Sequence, residues 1–138
     1  APDELPGPGC YCGRANCVES WLSGPNFARS YQRAGGEELM PVDIIARMRA
    51  GEELASRCFE RYVDRLARSL AVVMNIFDPD AIVLGGGMSN VTELYEQVPA
   101  AFGNYVFSDR IDTVLVQNRH GDSSGVRGAA WLWPQESV

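Results

Sequence analysis

The feature that most constrains the fold is the run Ala81-Ile82-Val83-Leu84, which passes straight into Gly85-Gly86-Gly87. An apolar stretch of strand length with no polar alternation suits a strand covered on both faces, as in a parallel sheet. Asn90 is placed to cap a following helix, with Glu93 three residues on completing a capping box, and Leu94, Tyr95, Val98 and Ala101 carry that helix forward. A second β-branched run covers Thr113–Gln117. After a polar turn, Ser123 or Ser124 can cap a final helix through Val126, Ala129, Ala130, Leu132 and Trp133, which Pro134 ends.

Upstream the pattern is helical. Val18, Trp21, Leu22, Phe27, Ala28 and Tyr31 have helical spacing, interrupted at Gly24-Pro25, so the sequence predicts two short helices or one broken one before Gly35-Gly36. Pro41 opens another, with Ile44, Ile45 and Met48 apolar, stopping at Gly51. The longest helix is predicted from about Glu52 to Phe77. Ala55, Phe59, Tyr62, Leu66, Leu70, Val73 and Phe77 form its apolar stripe, and Arg57, Glu60, Arg61, Asp64, Arg65 and Arg68 form a solvated, salt-bridged flank. From Leu70 to Phe77 it is apolar nearly all round, so that end is expected to be deeply buried. Asp78-Pro79 stops it, because the residue before a proline avoids the helical region.

Helices followed by strand–helix–strand–helix make the class α/β. Two short strands form an undersized sheet with bare edges, so the strands that complete it are expected outside this chain. The chain has 138 residues, 46% hydrophobic and 22% charged, an ordinary soluble composition for one domain. Its 12 basic residues against 18 acidic ones give a net charge of −6, which argues against a nucleic-acid-coating surface. No apolar run approaches the ~20 residues that span a bilayer. The opening residues, beginning at Ala1, do not read as a signal peptide. A cytoplasmic location follows as the expectation, with no membrane and no nucleic acid among the partners.

Cys10, Cys12 and Cys17 fall within one short stretch, CYCGRANC, and Cys58 stands apart. Cysteines that staple a secreted domain are spread out to close long loops. Clustered thiols suit a metal better, and Gly13 and Asn16 can take the left-handed conformations that a chain wrapping an ion needs. The alternative, three reduced thiols in a surface loop, would oxidise readily. Structural zinc wants four ligands. Cys58 lies in the apolar stripe of the long helix and reads as core, and His120, the only histidine, is far downstream.

Two further features carry chemistry. A glycine turn at a strand end lets a ligand approach the backbone, and helix-opening amides would favour an anion or nucleotide. A tight turn that needs glycines for its backbone angles is an equal alternative. Glu19 is either a charge on a helix N-terminus or a carboxylate that accepts hydrogen bonds from substrate hydroxyls, held still by the neighbouring metal loop. Its position alone favours the former.

These stretches resemble a known family. CYCGRANCVESWLSGPNF resembles the zinc-loop signature of the ROK family of bacterial sugar kinases and sugar-responsive repressors, usually C-x-C-G-x-x-G-C-x-E. IFDPDAIVLGGGMSN resembles the family's nucleotide-side strand and glycine turn. RHGDSSGVRGAAWLWP is similar to the closing region of its fructokinase and N-acetylglucosamine kinase branches. The three motifs match in order across essentially the whole chain, and the branch resembled most is the manno(fructo)kinase type of fructokinase.

The resemblance implies a structural Zn2+ held by Cys10, Cys12 and Cys17, with a histidine upstream of residue 1 as fourth ligand. It implies that Glu19 binds sugar hydroxyls, that Gly86 and Gly87 line the adenosine side of an ATP site, and that Mg2+ accompanies the ATP. The implied fold is part of a ribonuclease-H-like, actin-like ATPase domain, helix-rich with a short parallel strand pair. Residues 1–17 form the zinc loop, 18–78 a helical segment and 79–138 the nucleotide side. The implied activity is phosphorylation of a hexose, fructose to fructose 6-phosphate. The phosphate loop and catalytic aspartate would lie in an N-terminal half outside this chain, so no catalytic residue is assigned here and the chain alone is expected to be inactive. Exposed strand edges and an apolar helix end leave room for a homodimer. Asn16 departs from the usual glycine but is the next best residue for a left-handed turn. The alternatives are a sugar-sensing ROK repressor with a helix-turn-helix upstream, an N-acetylhexosamine or glucose kinase of the same family, and a free-standing metal-loop module.

Overall fold

The computed structural model describes residues 4–121 and 123–132. The Gly24-Pro25 interruption resolves into two helices, α1 (Glu19–Leu22) and α2 (Gly24–Arg33), parted by an extended Ser23. Proline sits in the first turn of α2 and of α3 (Pro41–Arg49), where its missing N–H costs nothing. Helix α4 (Glu53–Phe77) ends as Asp78 turns left-handed at φ 43° and gives its N–H to the Met74 carbonyl. Strand β1 (Ala81–Leu84) leads through a 3-10 turn, Gly87–Asn90, to α5 (Leu94–Ala101), a second 3-10 turn (Phe102–Asn104), β2 (Val114–Gln117) and α6 (Ser124–Ala130).

The strands pair in parallel, Ala81 opposite Val114 through Leu84 opposite Gln117. Thr113, just outside β2, ties the strand starts together by donating its hydroxyl to the Pro79 carbonyl at 2.7 Å. The core is built where α2, α3, α4 and α5 meet, around Phe27, Tyr31, Ile44, Phe59, Leu94 and Val98. Phe27 meets Tyr62 edge to face at 5.4 Å, a favoured aromatic geometry. Leu115 brings β2 into the same core, with Ile82 and Leu84 of β1 packed against it. Among the described residues no helix is long and apolar enough to cross a membrane.

Four expectations need correction. Strand β1 is not covered on both faces: Ile82 and Leu84 lean on the core, but Val83 is 59% exposed, as are much of Val114 and Val116. The far end of α4 is not deeply buried either. Val73 and Phe77 stand out in solvent, and the inward positions pass to Ala67, Ala71 and Met74, since a residue's place around the helix is set by what packs there. Arg65 is no part of a solvated flank but is 7% exposed, held by partners described below. The fourth correction concerns the capping box. Asn90 closes the 3-10 turn, and Glu93 instead takes both oxygens to Arg49 of α3, accepting from Nε at 2.6 Å and Nη2 at 2.8 Å. A bidentate charge-assisted pair outweighs one cap hydrogen bond.

At the chain's other end Ser123 precedes α6 without a side-chain bond to its amides. The expected stop at Trp133-Pro134 lies outside the described residues.

The Glu93–Arg49 pair gives a pH prediction. The hydrogen bond from Arg49 holds the Glu93 carboxyl down at about 2. A depressed folded-state value stabilises the protein above the unfolded carboxylate range and is lost as pH falls from about 4.5 towards 2. Half of the Arg49 side chain is exposed, so screening limits the pair to about 1 kcal/mol. Thermal melts should show Glu93→Gln less stable than the parent by that amount at pH 7, with the two converging near pH 2.

Candidate metal loop and ligand groove

The loop from Pro8 to Cys17 is folded by its own backbone. Asn16 gives its N–H to the Pro8 carbonyl at 2.8 Å, Cys10 gives its own to Arg14 at 2.7 Å, and Gly13 turns back on Cys10 at 3.0 Å. Gly13 (φ 83°) and Asn16 (φ 62°) are both left-handed, as the sequence predicts. The result brings the Sγ atoms of Cys10, Cys12 and Cys17 within 4.8 Å of one another, Cys12 and Cys17 at 3.6 Å. A tetrahedral zinc with sulfurs at ~2.3 Å would set them about 3.8 Å apart, so these three thiols fit such an ion. Cys58 is buried in α4 away from the cluster, its thiol pushed up by burial.

The thiols also divide electrostatically. Cys12 is held below the usual thiol range, first by the backbone N–H of Arg14 and then by its neighbours' thiols. Cys17 is pushed up to about 11, first by its thiol hydrogen bonds to Cys12 and Cys10, which favour its protonated form, and then by burial and the neighbouring charges. A cation bound among the three would remove the repulsion between those charges.

A chain of side chains anchors the loop to α4. Asn16 Oδ1 accepts from the Trp21 indole N–H at 2.5 Å. The Trp21 ring lies under the Arg65 guanidinium at 3.9 Å, with Arg33 at 5.6 Å. Arg65 donates to Glu4 at 2.6 Å and Arg68 donates to the other oxygen at 2.9 Å. Burial raises the Glu4 carboxyl, but its hydrogen bonds, those from both arginines included, outweigh this and hold it at about 2.

Glu19 starts α1 two residues after Cys17 and is exposed. Its carbonyl is taken by Asn26 Nδ2 at 2.9 Å and by the Ser23 hydroxyl at 3.0 Å, while buried Ser20 donates its hydroxyl to the Cys17 carbonyl at 2.6 Å. The carboxylate therefore stands on a fixed backbone two residues after the last of the three cysteines. A four-residue helix gives it little dipole to meet, which weakens the purely structural explanation.

Gly86 has φ 75° and ψ 174°, a conformation for which glycine is suited. Its carbonyl accepts from the Ser89 N–H at 3.0 Å and the Ser89 hydroxyl at 2.7 Å. A Cβ added at Gly85, Gly86 or Gly87 would meet nothing within 4 Å, so the turn is open. The expected α-helix does not start here. Ser89 folds back on Gly86, one 3-10 turn follows and α5 begins only at Leu94, so these glycines present no α-helical N-terminus. Of the three, Gly87 lines a groove of about 720 Å³. Gly87 and Met88 form one side, Pro25 and Ala28 of α2 another, and Met40 and Val42 at the start of α3 a third. Met40 and Val42 are 67% and 71% exposed, an apolar lip that sequence reasoning missed. Spacing gives no signal of it. Met40 stands four residues before Ile44 and Val42 three before Ile45, in phase with the buried pair. They are exposed because they lie at the extended N-cap and first turn of α3. Gly24, just after α1, adjoins the turn, and a Cβ there would sit 3.7 Å from Met88 Cγ. Helix α2 thus links the Glu19 region to the glycine turn, although the two are separate places on the molecule.

Comparison with known proteins bears on this arrangement. The model of the ROK family matches residues 3–136. The chain belongs to the ROK family. This ROK chain is 39% identical over 130 residues to N-acetyl-D-glucosamine kinase of Vibrio vulnificus, covering 94% of this chain and 43% of that one. It therefore spans less than half the length of the curated relatives it matches. Among solved structures, a ROK family glucokinase from Streptomyces griseus in complex with glucose and AMPPNP superimposes with a TM-score of 0.78 at 26% identity, covering 99% of this chain and 49% of that one. A ROK family transcriptional regulator, a homologue of the E. coli MLC protein, has a TM-score of 0.73 at 25% identity, covering 91% and 35%. The helix-rich ROK fold with its parallel strand pair is thus shared by sugar kinases and a regulator.

Proposed function

We propose that this ROK chain carries the sugar-side metal loop and the nucleotide side of an ATP-dependent hexose kinase, within a ribonuclease-H-like, actin-like domain. The observation that carries the reading is Gly87, the last residue of an open glycine turn, lining a groove with α2 and the start of α3. A flat aromatic base suits the Met88, Pro25 and Val42 walls, and Gly86 and Gly87 let a nucleotide approach the backbone. Glu19 accepts hydrogen bonds from sugar hydroxyls. Cys10, Cys12 and Cys17 hold zinc, which supplies rigidity to the loop carrying Glu19 and no reaction chemistry. Mg2+ enters with ATP. Phosphoryl transfer rests on positioning and charge neutralisation, and none of these residues is assigned as the base that takes the sugar's proton.

The hexose we propose is N-acetyl-D-glucosamine. The expectation of fructose finds no support in a relative named for N-acetyl-D-glucosamine or in a neighbour solved with glucose. A sugar-sensing repressor is the second reading, favoured by the likeness to the ROK regulator. The 39% identity to a kinase and the net charge of −6 weigh against it.

Hydrogen exchange on the protein as its gene encodes it tests the two sites separately. AMPPNP should slow exchange over residues 85–91 and 25–32, and N-acetyl-D-glucosamine over 17–23. Protection by neither ligand would falsify the assignment of both sites.

A further inference from the structure

We propose that Asn118 is the positioning residue of the glycine turn, so that nucleotide affinity depends on a side chain outside the groove wall. This inference deepens the nucleotide-side reading above and rests on it. Asn118 follows β2 directly, and its carboxamide Nδ2 donates twice, to the Leu84 carbonyl at 3.0 Å and to the Ser89 hydroxyl oxygen at 3.0 Å. Ser89 is buried and gives its own proton to the Gly86 carbonyl at 2.7 Å. Tyr95 of α5 donates to the Ser89 carbonyl at 2.7 Å. One side chain therefore joins the end of β1, the 3-10 turn and, through Ser89, the peptide of Gly86. Bonds in series of this kind strengthen one another. A turn of three glycines has no side chains to hold its shape, so this network supplies the order.

The other edge of the amide supports a role beyond stability. Asn118 Oδ1 is buried with no hydrogen-bond partner among the described residues. A buried acceptor left unpaired is unfavourable. Flipping the amide does not cure it, because the oxygen would then face the Leu84 carbonyl, acceptor against acceptor. The position keeps a poorly satisfied oxygen in order to keep its two donor bonds, as sites that serve function do.

The test uses Asn118→Ala, Asn118→Asp, Ser89→Ala and the Asn118→Ala/Ser89→Ala double variant in the protein as its gene encodes it. AMPPNP and N-acetyl-D-glucosamine are titrated separately by calorimetry, alongside thermal melts. Asn118→Ala should weaken AMPPNP about tenfold while sugar affinity stays within about twofold. Asn118→Asp should match it, because the carboxylate has no donor for Leu84 or Ser89. The double variant should lose less than the sum of the singles, as members of one network do. Gly86→Ala is the control. If it weakens AMPPNP and the Asn118 and Ser89 variants do not, this inference is overturned and the nucleotide reading stands. Parallel loss of nucleotide and sugar affinity with a lowered melting temperature also overturns it, because Asn118 would then be purely structural. No AMPPNP binding by the parent protein, or none of it lost in Gly86→Ala, removes the reading underneath.

Discussion

Cys17→Ser should strip the protein of nearly all its zinc and weaken sugar binding roughly 100-fold, the largest effect expected of any single change. Three thiols gathered within 4.8 Å suit the soft cation proposed above, and left-handed Gly13 and Asn16 shape the backbone that gathers them. Serine is a poor zinc ligand, so the variant loses the cross-link proposed for the loop. The disturbance reaches Glu19 because Cys17 shares a first turn with it: the Cys17 carbonyl accepts both the backbone N–H and the hydroxyl of Ser20. Metal analysis after gel filtration, with sugar titration on the same sample, checks both parts. Cys58→Ser is the discriminating control. Cys58 packs in the core and should cost stability while leaving zinc content unchanged. Zinc lost from the Cys58 variant but kept by the Cys17 variant would reverse the assignment.

Gly86→Val should raise the KM for ATP at least tenfold, with a smaller change for the sugar. The backbone there sits at φ 75°, where a β-branched residue is strained by about 1–3 kcal/mol. No atom lies within 4 Å of a Cβ added there, so the turn is open at this position, and under the proposed nucleotide reading a side chain would obstruct the ligand's approach to the backbone. Strain and obstruction act together on one ligand. Steady-state kinetics with each substrate varied in turn separates this from general destabilisation, which would raise both KM values alike. An unchanged KM for ATP would remove the glycine turn from the nucleotide site.

What was legible beforehand was local. Pro41, Gly51 and Asp78-Pro79 punctuate the chain, and α3 and α4 begin and end within a residue or two of them. CYCGRANC closes on itself through short-range backbone bonds, so its thiol cluster could be anticipated from spacing and from two residues that tolerate left-handed angles. What escaped depends on neighbours distant in sequence. Arg65 reads as one more charge on a polar flank, and only the arrival of Glu4 and Trp21 from the N-terminal segment makes it buried. Glu93 fits a capping box until α3 offers Arg49. The apolar run at the end of α4 says that burial is favourable and says nothing of which side receives a partner. The groove has no signature in any one segment, since its walls come from α2, the start of α3 and the glycine turn.

The most direct measurement is phosphoryl transfer. The protein as its gene encodes it, given MgATP and in turn N-acetyl-D-glucosamine, glucose and fructose, should yield the phosphorylated amino sugar. Its kcat/KM there should exceed that for fructose by about 100-fold, a difference that hydrogen bonds to the acetamido group can supply. Absence of transfer to any hexose, together with specific DNA binding that sugar releases, would contradict the kinase reading and make the chain part of a ROK regulator.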